Sequence, residues 1–304
     1  MRFTLSEEQL TLETALDGLV AGFATMPTDF RDFALTDPAL EQAVEEAGFY
    51  DIASVPELGA VSAALAVEKL ARLPVAGEFA LSMLVQPILA GMLGRDLPRP
   101  LALVERGRAG RFVAGAGTVI VIGEDGGLRI VHPGAGETQA VASILAYPMG
   151  CLCEGLEGTT LTGVQAESLM VWLRVALAAE MSGLISGGLA ATVDHVSVRK
   201  QFGRALGSFQ ALRHRLAEVA ALAGGLHLLA MRAAGTGDAG DAALAAFQAQ
   251  ELGTRAGYEF HQMLGAMGMT LEHPLHLWTY RIKVLLSELG GRAGQADAVG
   301  RLCF

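Results

Sequence analysis

The spacing of apolar residues changes twice along this chain of 304 residues, and few folds accommodate that order. At the N-terminal end the spacing is helical. Ser6-Glu7-Glu8-Gln9 supplies an N-cap with Gln9 at the capping-box position, and Leu10, Leu12, Ala15, Leu16 and Leu19 follow as one stripe. Pro38 to Glu46, ended by Gly48, reads as a second helix. Val61 to Ala71 and Glu78 to Leu93 read as two more, parted by Leu73-Pro74. After Leu97-Pro98-Arg99-Pro100 the runs shorten to Leu101–Val104, Arg111–Ala114 and Thr118–Ile122, with Leu128–Val131 alternating, which are strand signals. This segment is only about 65 residues long, enough for a small sheet.

From Ala166 the helical period returns. Leu173, Leu177, Leu184, Ala191, His195 and Val198 mark one long helix, and Phe209, Leu212, Leu216, Val219 and Ala220 the next, after Gly207-Ser208. Leu244, Phe247, Leu252, Ala256, Phe260 and Met263 mark a third, beyond a flexible Gly235–Gly240. Leu277 to Leu289 marks a fourth, before Gly290-Gly291. No internal repeat is present. The expected fold is mainly α with a small β domain: an N-terminal helical domain (1–97), a short middle β domain (98–165) and a C-terminal four-helix bundle (166–304).

Composition narrows the partners. Hydrophobic residues make up 52% and aromatics only 6%, so Ala, Leu and Val must fill the core, which excludes disorder and points to helices packed closely in an assembly. A net charge of −10 excludes nucleic acid as a partner. The opening Met1-Arg2-Phe3-Thr4 carries no apolar signal core, which gives a cytoplasmic expectation. The most apolar window, Pro74 to Gly94, holds Glu78, Gln86 and Pro87, so a buried helix is expected there and no membrane insertion. Cys151, Cys153 and Cys303 form no metal pattern and read as small buried thiols. His195, His214, His273 and His276 lack a carboxylate-rich helix partner and read as structural, with no metal site. Gly123–Gly127 reads as a hairpin turn, since no helix follows it.

Two blocks carry more than periodicity. Arg199-Lys-Gln-Phe-Gly203, then Arg204-Ala-Leu-Gly-Ser-Phe-Gln210 and His214-Arg-Leu-Ala-Glu218, resembles the R-x-x-F-G…F-Q…H-x-L-A-(D/E) signature of the acyl-CoA dehydrogenase family. Gln262-Met-Leu-Gly265, with Gly268 and Glu272-His-Pro274, resembles its Q-x-x-G-G-x-G…E-x-P block, and Phe3-Thr-Leu-Ser-Glu-Glu-Gln9 its usual opening. The resemblance spans about three quarters of the chain and implies a flavoprotein. Such an enzyme takes an α proton from an acyl-CoA thioester while FAD takes the β hydride, and passes electrons to an electron-transfer flavoprotein. It also implies that Arg199, Gln201 and Phe202 reach the diphosphate and adenine half of a neighbouring subunit's FAD, while Gln262, Gly265 and Ala266 approach it from another subunit. Ala266 replaces a glycine of that block.

The departures concern the chemistry. Both positions where the family places its base align with leucines, Leu173 and Leu289. Glu180, two helical turns beyond Leu173, and Glu288, beside Leu289, are the substitute candidates. The simpler readings are that Glu180 pairs with Arg174 and Arg199 with Glu218, while Phe202 and Phe209 pack in the core. The ring-holding T-E-P-x-x-G-S-D and W-I-T-N strands have no counterpart between Leu101 and Val164. The resemblance therefore implies a heteromeric subunit that completes a catalytic partner's FAD site without a base, similar to bacterial enzymes of lipid or steroid catabolism. Two alternatives stand beside it: an independent homo-oligomer using Glu180 or Glu288, and a non-enzymatic acyl-CoA or partner-binding scaffold.

Overall fold

The computed structural model describes residues 4–27 and 29–304, so Met1-Arg2-Phe3 and the Phe3 of the opening motif lie outside the described residues. Helix α1 (Glu7–Phe23) starts with the expected reciprocal cap: the Gln9 amide N–H donates to Ser6 Oγ (3.2 Å), and the Ser6 N–H to Gln9 Oε1 (3.0 Å). Asp37 caps α2 (Pro38–Glu46), and α3 (Gly59–Ala71) follows a short 3₁₀ turn at Phe49–Ser54. The single helix expected from Glu78 to Leu93 is two, α4 (Ala80–Leu84) and α5 (Gln86–Leu93). Pro87 lacks the N–H that an unbroken helix needs, so the helix restarts there. Glu78 stands outside α4 and takes the N–H groups of Leu81 (2.8 Å) and Ser82 (3.2 Å).

The β segment folds as two small sheets. β1 (Leu101–Glu105), β3 (Thr118–Ile122), β4 (Leu128–Val131) and β7 (Thr159–Thr160) form one in the order β1-β3-β4-β7, with β1 parallel to β3. β2 (Gly110–Arg111), β6 (Met149–Leu152) and β5 (Thr138–Val141) form the other in the order β2-β6-β5. Gly123–Gly127 is the turn between β3 and β4, closed by the Gly123 N–H on the Gly127 carbonyl (2.8 Å). The strand expected over Arg111–Ala114 stops at Arg111, because Phe112 takes a left-handed conformation (φ 61°) and begins a 3₁₀ turn.

Helix α6 (Gly163–Val198) is the axis of the molecule. Its 36 residues span about 54 Å and pack on α3, on α7 (Gln210–Thr236), on α8 (Ala239–Leu264) and on α9 (His276–Leu285). Glycines allow the contact: a Cβ on Gly183 would lie 2.2 Å from the Glu68 carbonyl, and one on Gly187 2.3 Å from Trp278 Nε1. Helices α6 and α7 are each long and apolar enough to cross a membrane, but 78% of that window in α6 is buried inside the fold. For α7 the share is 39%, and Ala217, Ala221, Gly224, Gly225 and Leu228 are exposed along it.

Two boundaries differ from expectation. Helix α7 runs through Gly235, and only Gly237-Asp238 separates it from α8, which Asp238 caps. The fourth helix ends at Leu285, and Gly290-Gly291 starts a further helix, α10 (Gly291–Cys303), because Leu289 and Gly290 are left-handed and break the turn. Cys151 and Cys153 are half-buried and Cys303 is exposed, not buried as expected. Replacing Gly183 with Ala should lower the urea midpoint by an amount equivalent to about 2 kcal/mol, since α3 backbone must move to admit the methyl. An unchanged midpoint would mean that α6 and α3 do not approach this closely.

Candidate functional site

Arg111 comes from the short strand β2. Gly110 lets that strand approach β1, since a Cβ there would sit 2.6 Å from the Leu103 carbonyl. The guanidinium, only 2% exposed, reaches the middle of α6, where Nη1 lies 2.9 Å from Glu180 Oε1 and 2.8 Å from Oε2. Its Nε donates to Glu288 Oε1 (2.7 Å), with Nη2 at 3.4 Å from Oε2. Tyr147 completes the group, donating its hydroxyl to Glu180 Oε1 (2.6 Å) with its ring 5.3 Å from the guanidinium. The two carboxylates proposed as alternative bases therefore meet on one cation.

Burial disfavours charge on Arg111, Glu288 and Tyr147. For Arg111 the two carboxylates outweigh it and hold the pKa well above the usual arginine value. Burial raises Glu288 despite Arg111 beside it, and burial with the Glu180 charge pushes the Tyr147 phenol well up. A second buried guanidinium, Arg281, donates to the Val75 (3.0 Å), Leu73 (2.7 Å) and Leu277 carbonyls; burial lowers its pKa. A cavity of about 10 Å³, room for one water, separates Arg281 from Glu180. Glu78, also buried, is raised to about 7 by desolvation, against the Ser82 hydrogen bond and the Arg111 charge.

The backbone around this cluster is strained. Four non-glycine residues take left-handed φ among the described residues: Phe112, Ala146, Phe202 and Leu289. Three of them directly neighbour Arg111, Tyr147 and Glu288 in the chain. Strain of this kind persists only where surrounding contacts over-determine it. Gln250 Nε2 supplies two such contacts, to the Leu285 (2.8 Å) and Glu288 (2.9 Å) carbonyls. Gln295 Nε2 supplies a third, to the Leu289 carbonyl (2.7 Å), and its Oε1 accepts from Arg174 Nε (2.9 Å). Arg174 thus binds Gln295 and not Glu180, since six residues along one helix put the two side chains on different faces. Leu173 and Leu289 are both buried. Beside Leu289 and Glu288 lies a cavity of about 140 Å³, less than half the lower end of the usual ligand-pocket range of about 300 Å³.

The other candidates lie on the surface. Arg199 ends α6 and is exposed, with no ion-pair partner among the described residues; Glu218 pairs instead with Arg255. Beyond it β8 (Lys200–Gln201) and β9 (Arg204–Ala205) form a two-residue hairpin with Phe202 and Gly203 at its tip. Phe202 is 86% exposed, not in the core as expected, because the turn requires φ > 0 there (53°) and turns its ring outward onto the edge of Phe209. Phe209 is itself only half-buried, under Arg204. Gln262, Gly265 and Ala266 are exposed at the end of α8, where Gly265 adopts φ 59°, ψ −135°, a conformation that favours glycine. The histidines serve the fold: His276 Nε2 meets the Phe30 carbonyl (2.9 Å), and His195 packs edge-on against His273, whose pKa burial lowers to about 4.

Residues 163–301 match the family described as "Acyl-CoA dehydrogenase, C-terminal domain". The chain is similar to the acyl-CoA dehydrogenase family over this segment, just under half of its length. Among relatives, it is 30% identical over 203 residues to acyl-CoA dehydrogenase FadE34 of Mycobacterium tuberculosis (strain ATCC 25618 / H37Rv), covering 63% of this chain and 29% of that one. It is 33% identical over 132 residues to acyl-CoA dehydrogenase FadE28 of the same strain, covering 42% and 39%. The matches thus span well under half the length of those relatives. A chain in the ChsE4-ChsE5 complex from Mycobacterium tuberculosis superposes with a TM-score of 0.79 at 22% identity, over 99% of this chain and 98% of that one. A glutaryl-coenzyme A dehydrogenase superposes at 0.74 and 19% identity, over 99% and 96%. These structures share the fold.

FAD is the family's cofactor, and the residues fit it unevenly. Arg199, the Phe202 ring at the hairpin tip and the open backbone at Gly265 are uncovered, a cation, an aromatic face and free peptide groups of the kinds that suit a diphosphate and an adenine. The enclosed side does not fit the flavin ring: Arg111 fills the space between the carboxylates, and the cavity beside Leu289 is small.

Replacing Arg111 with Met should cost about 3–5 kcal/mol in urea unfolding, and adding Glu180→Gln and Glu288→Gln should recover most of it, because the loss comes from two stranded buried carboxylates. Glu78 sets a pH dependence. With its pKa near 7 folded against 4.5 in the open chain, the folded state holds the extra proton between those values. Stability should fall by up to about 3 kcal/mol as pH rises from 4.5 to 7, on top of the slopes of other groups. Glu78→Gln should flatten that part of the profile.

Proposed function

We propose that this chain is a subunit of an FAD-dependent acyl-CoA dehydrogenase that completes a partner's FAD site and supplies no base. The observation that carries this reading is the double ion pair of Arg111 with Glu180 and Glu288. A general base must be free to take a proton from the α carbon of a thioester, and a carboxylate bonded to a buried guanidinium has its oxygens engaged and is sterically covered. With leucines at both usual positions, no uncommitted carboxylate faces the cavity beside Leu289. This weighs against the independent homo-oligomer with a relocated base.

The exposed residues give the chain its part in the work. Arg199 offers a planar, charged donor set for a diphosphate, and Phe202 offers an aromatic edge to an adenine. Gln262, Gly265 and Ala266 would meet FAD from the other side of an assembly. The half-covered face of α7 is suited to burial against another subunit, which is a catalytic relative in this reading and a second copy of the chain in the homo-oligomeric one. The ChsE4-ChsE5 complex contains a chain that shares the fold, which supports the heteromeric choice. The division at 1–97, 98–165 and 166–304, a cytoplasmic location, electron transfer to an electron-transfer flavoprotein and a lipid or steroid acyl-CoA substrate belong to the same proposal. Retention of the Arg199 hairpin weighs against a scaffold that has lost flavin.

The test is a visible spectrum and dehydrogenase assay of the chain alone and co-expressed with a longer relative. The expectation is no flavin band and no turnover alone, both restored in the complex. In that complex Arg199→Ala should weaken flavin retention by about tenfold or more, while Glu180→Gln leaves turnover within about threefold. Full activity of the isolated, FAD-loaded chain, abolished by Glu180→Gln, would overturn the proposal.

A further inference from the structure

A third cavity, of about 350 Å³, opens on the N-terminal domain, among α2, the Phe49–Ser54 turn, the start of α4 and Arg99-Pro100. Its size lies within the range of small-molecule sites, about 300–1,000 Å³. Tyr50, Glu78, Ser82 and Phe112 are its buried lining; Glu41 and Glu45 stand exposed at its edge, with Arg99 between. None of these residues belongs to the surfaces assigned above to FAD.

Tyr50 is the decisive residue. It is only 9% exposed, with Arg99 over its ring (4.1 Å) and Phe79 packed beside it (6.3 Å between centroids). Its ring is buried, and its hydroxyl, without a hydrogen-bond partner among the described residues, is the part left open to the cavity. Glu78, 4% exposed, uses its oxygens on the Leu81 and Ser82 N–H groups and the Ser82 hydroxyl, and retains lone pairs.

The charges around the cavity do not balance. Arg99, its one cation, is taken by Glu45 at 2.5 Å. Glu41 and Glu78 have no ion-pair partner among the described residues, and burial raises the pKa of both. An anion would meet net negative potential here. A neutral alcohol could bond Tyr50 but would leave both carboxyls uncompensated.

We propose that this cavity is a binding site for a small organic amine, whose ammonium group donates to the Tyr50 hydroxyl and the Glu78 carboxylate while its apolar body lies along Phe112 and Pro100. Glu41 adds long-range attraction at the edge. The site is independent of the dehydrogenase reading.

The probe is butylamine, titrated into the purified full chain and followed by backbone amide NMR, with butan-1-ol as its neutral counterpart. The expected result is saturable shifts at Tyr50 and Glu78–Ser82, with butylamine at least about tenfold tighter than the alcohol. Tyr50→Phe keeps the ring and removes only the hydroxyl, so the melting temperature should hold while affinity falls by about fivefold or more. Glu78→Gln should weaken the amine and leave the alcohol unchanged. Equal affinity for amine and alcohol, undiminished amine binding to Tyr50→Phe, or linear shifts spread over the acidic surface would each overturn the proposal.

Discussion

Arg111 carries a guanidinium into a region that water does not reach, and the two carboxylates that meet it come from distant parts of the chain. Glu180 sits at the centre of α6, and Glu288 lies in the turn between α9 and α10. Each of the three would be costly to bury alone; together they are tolerated, and removing one strands the others. The β segment is thereby tied to the bundle by a buried polar cluster set within the apolar core that the two share. The left-handed residues Phe112, Ala146 and Leu289 show how far the backbone bends to make that point possible. Gln250 and Gln295 hold the carbonyls of the bent segment after α9, so the strain is shared among hydrogen bonds that would otherwise go unmade.

This interaction also divides the molecule chemically. On its inner side, the carboxylates are paired with Arg111 and space is short. On its outer side, the Arg199 hairpin and the Gly265 turn stand in solvent with their polar groups uncommitted. A surface that spends an exposed phenylalanine on a hairpin tip gains nothing from it in isolation, and the natural use of such a surface is to meet another molecule.

Much of the fold was legible before the structure. The change from helical period to short strands and back places α1 through α3, β1, β3, β4 and the three long helices close to their observed ends, because burying one face of a helix or strand imposes its period directly on the sequence. Expectation failed where the backbone leaves regular structure. The strand after Arg111, the end of α9 and the break between α4 and α5 all turn on one residue each, Phe112, Leu289 and Pro87. Only the proline announces itself.

The sequence by itself determined the order of elements, the two signature blocks and the leucines at Leu173 and Leu289, since each is a property of neighbours along the chain. It also marked Glu180 and Glu288 as the carboxylates to watch. Only the tertiary structure decided what they do. Arg111 lies 69 residues from one and 177 from the other, and in the sequence it is one arginine in a glycine-flanked apolar run. Ion pairing depends on distance through space and on exclusion of water, and neither is set by spacing along the chain.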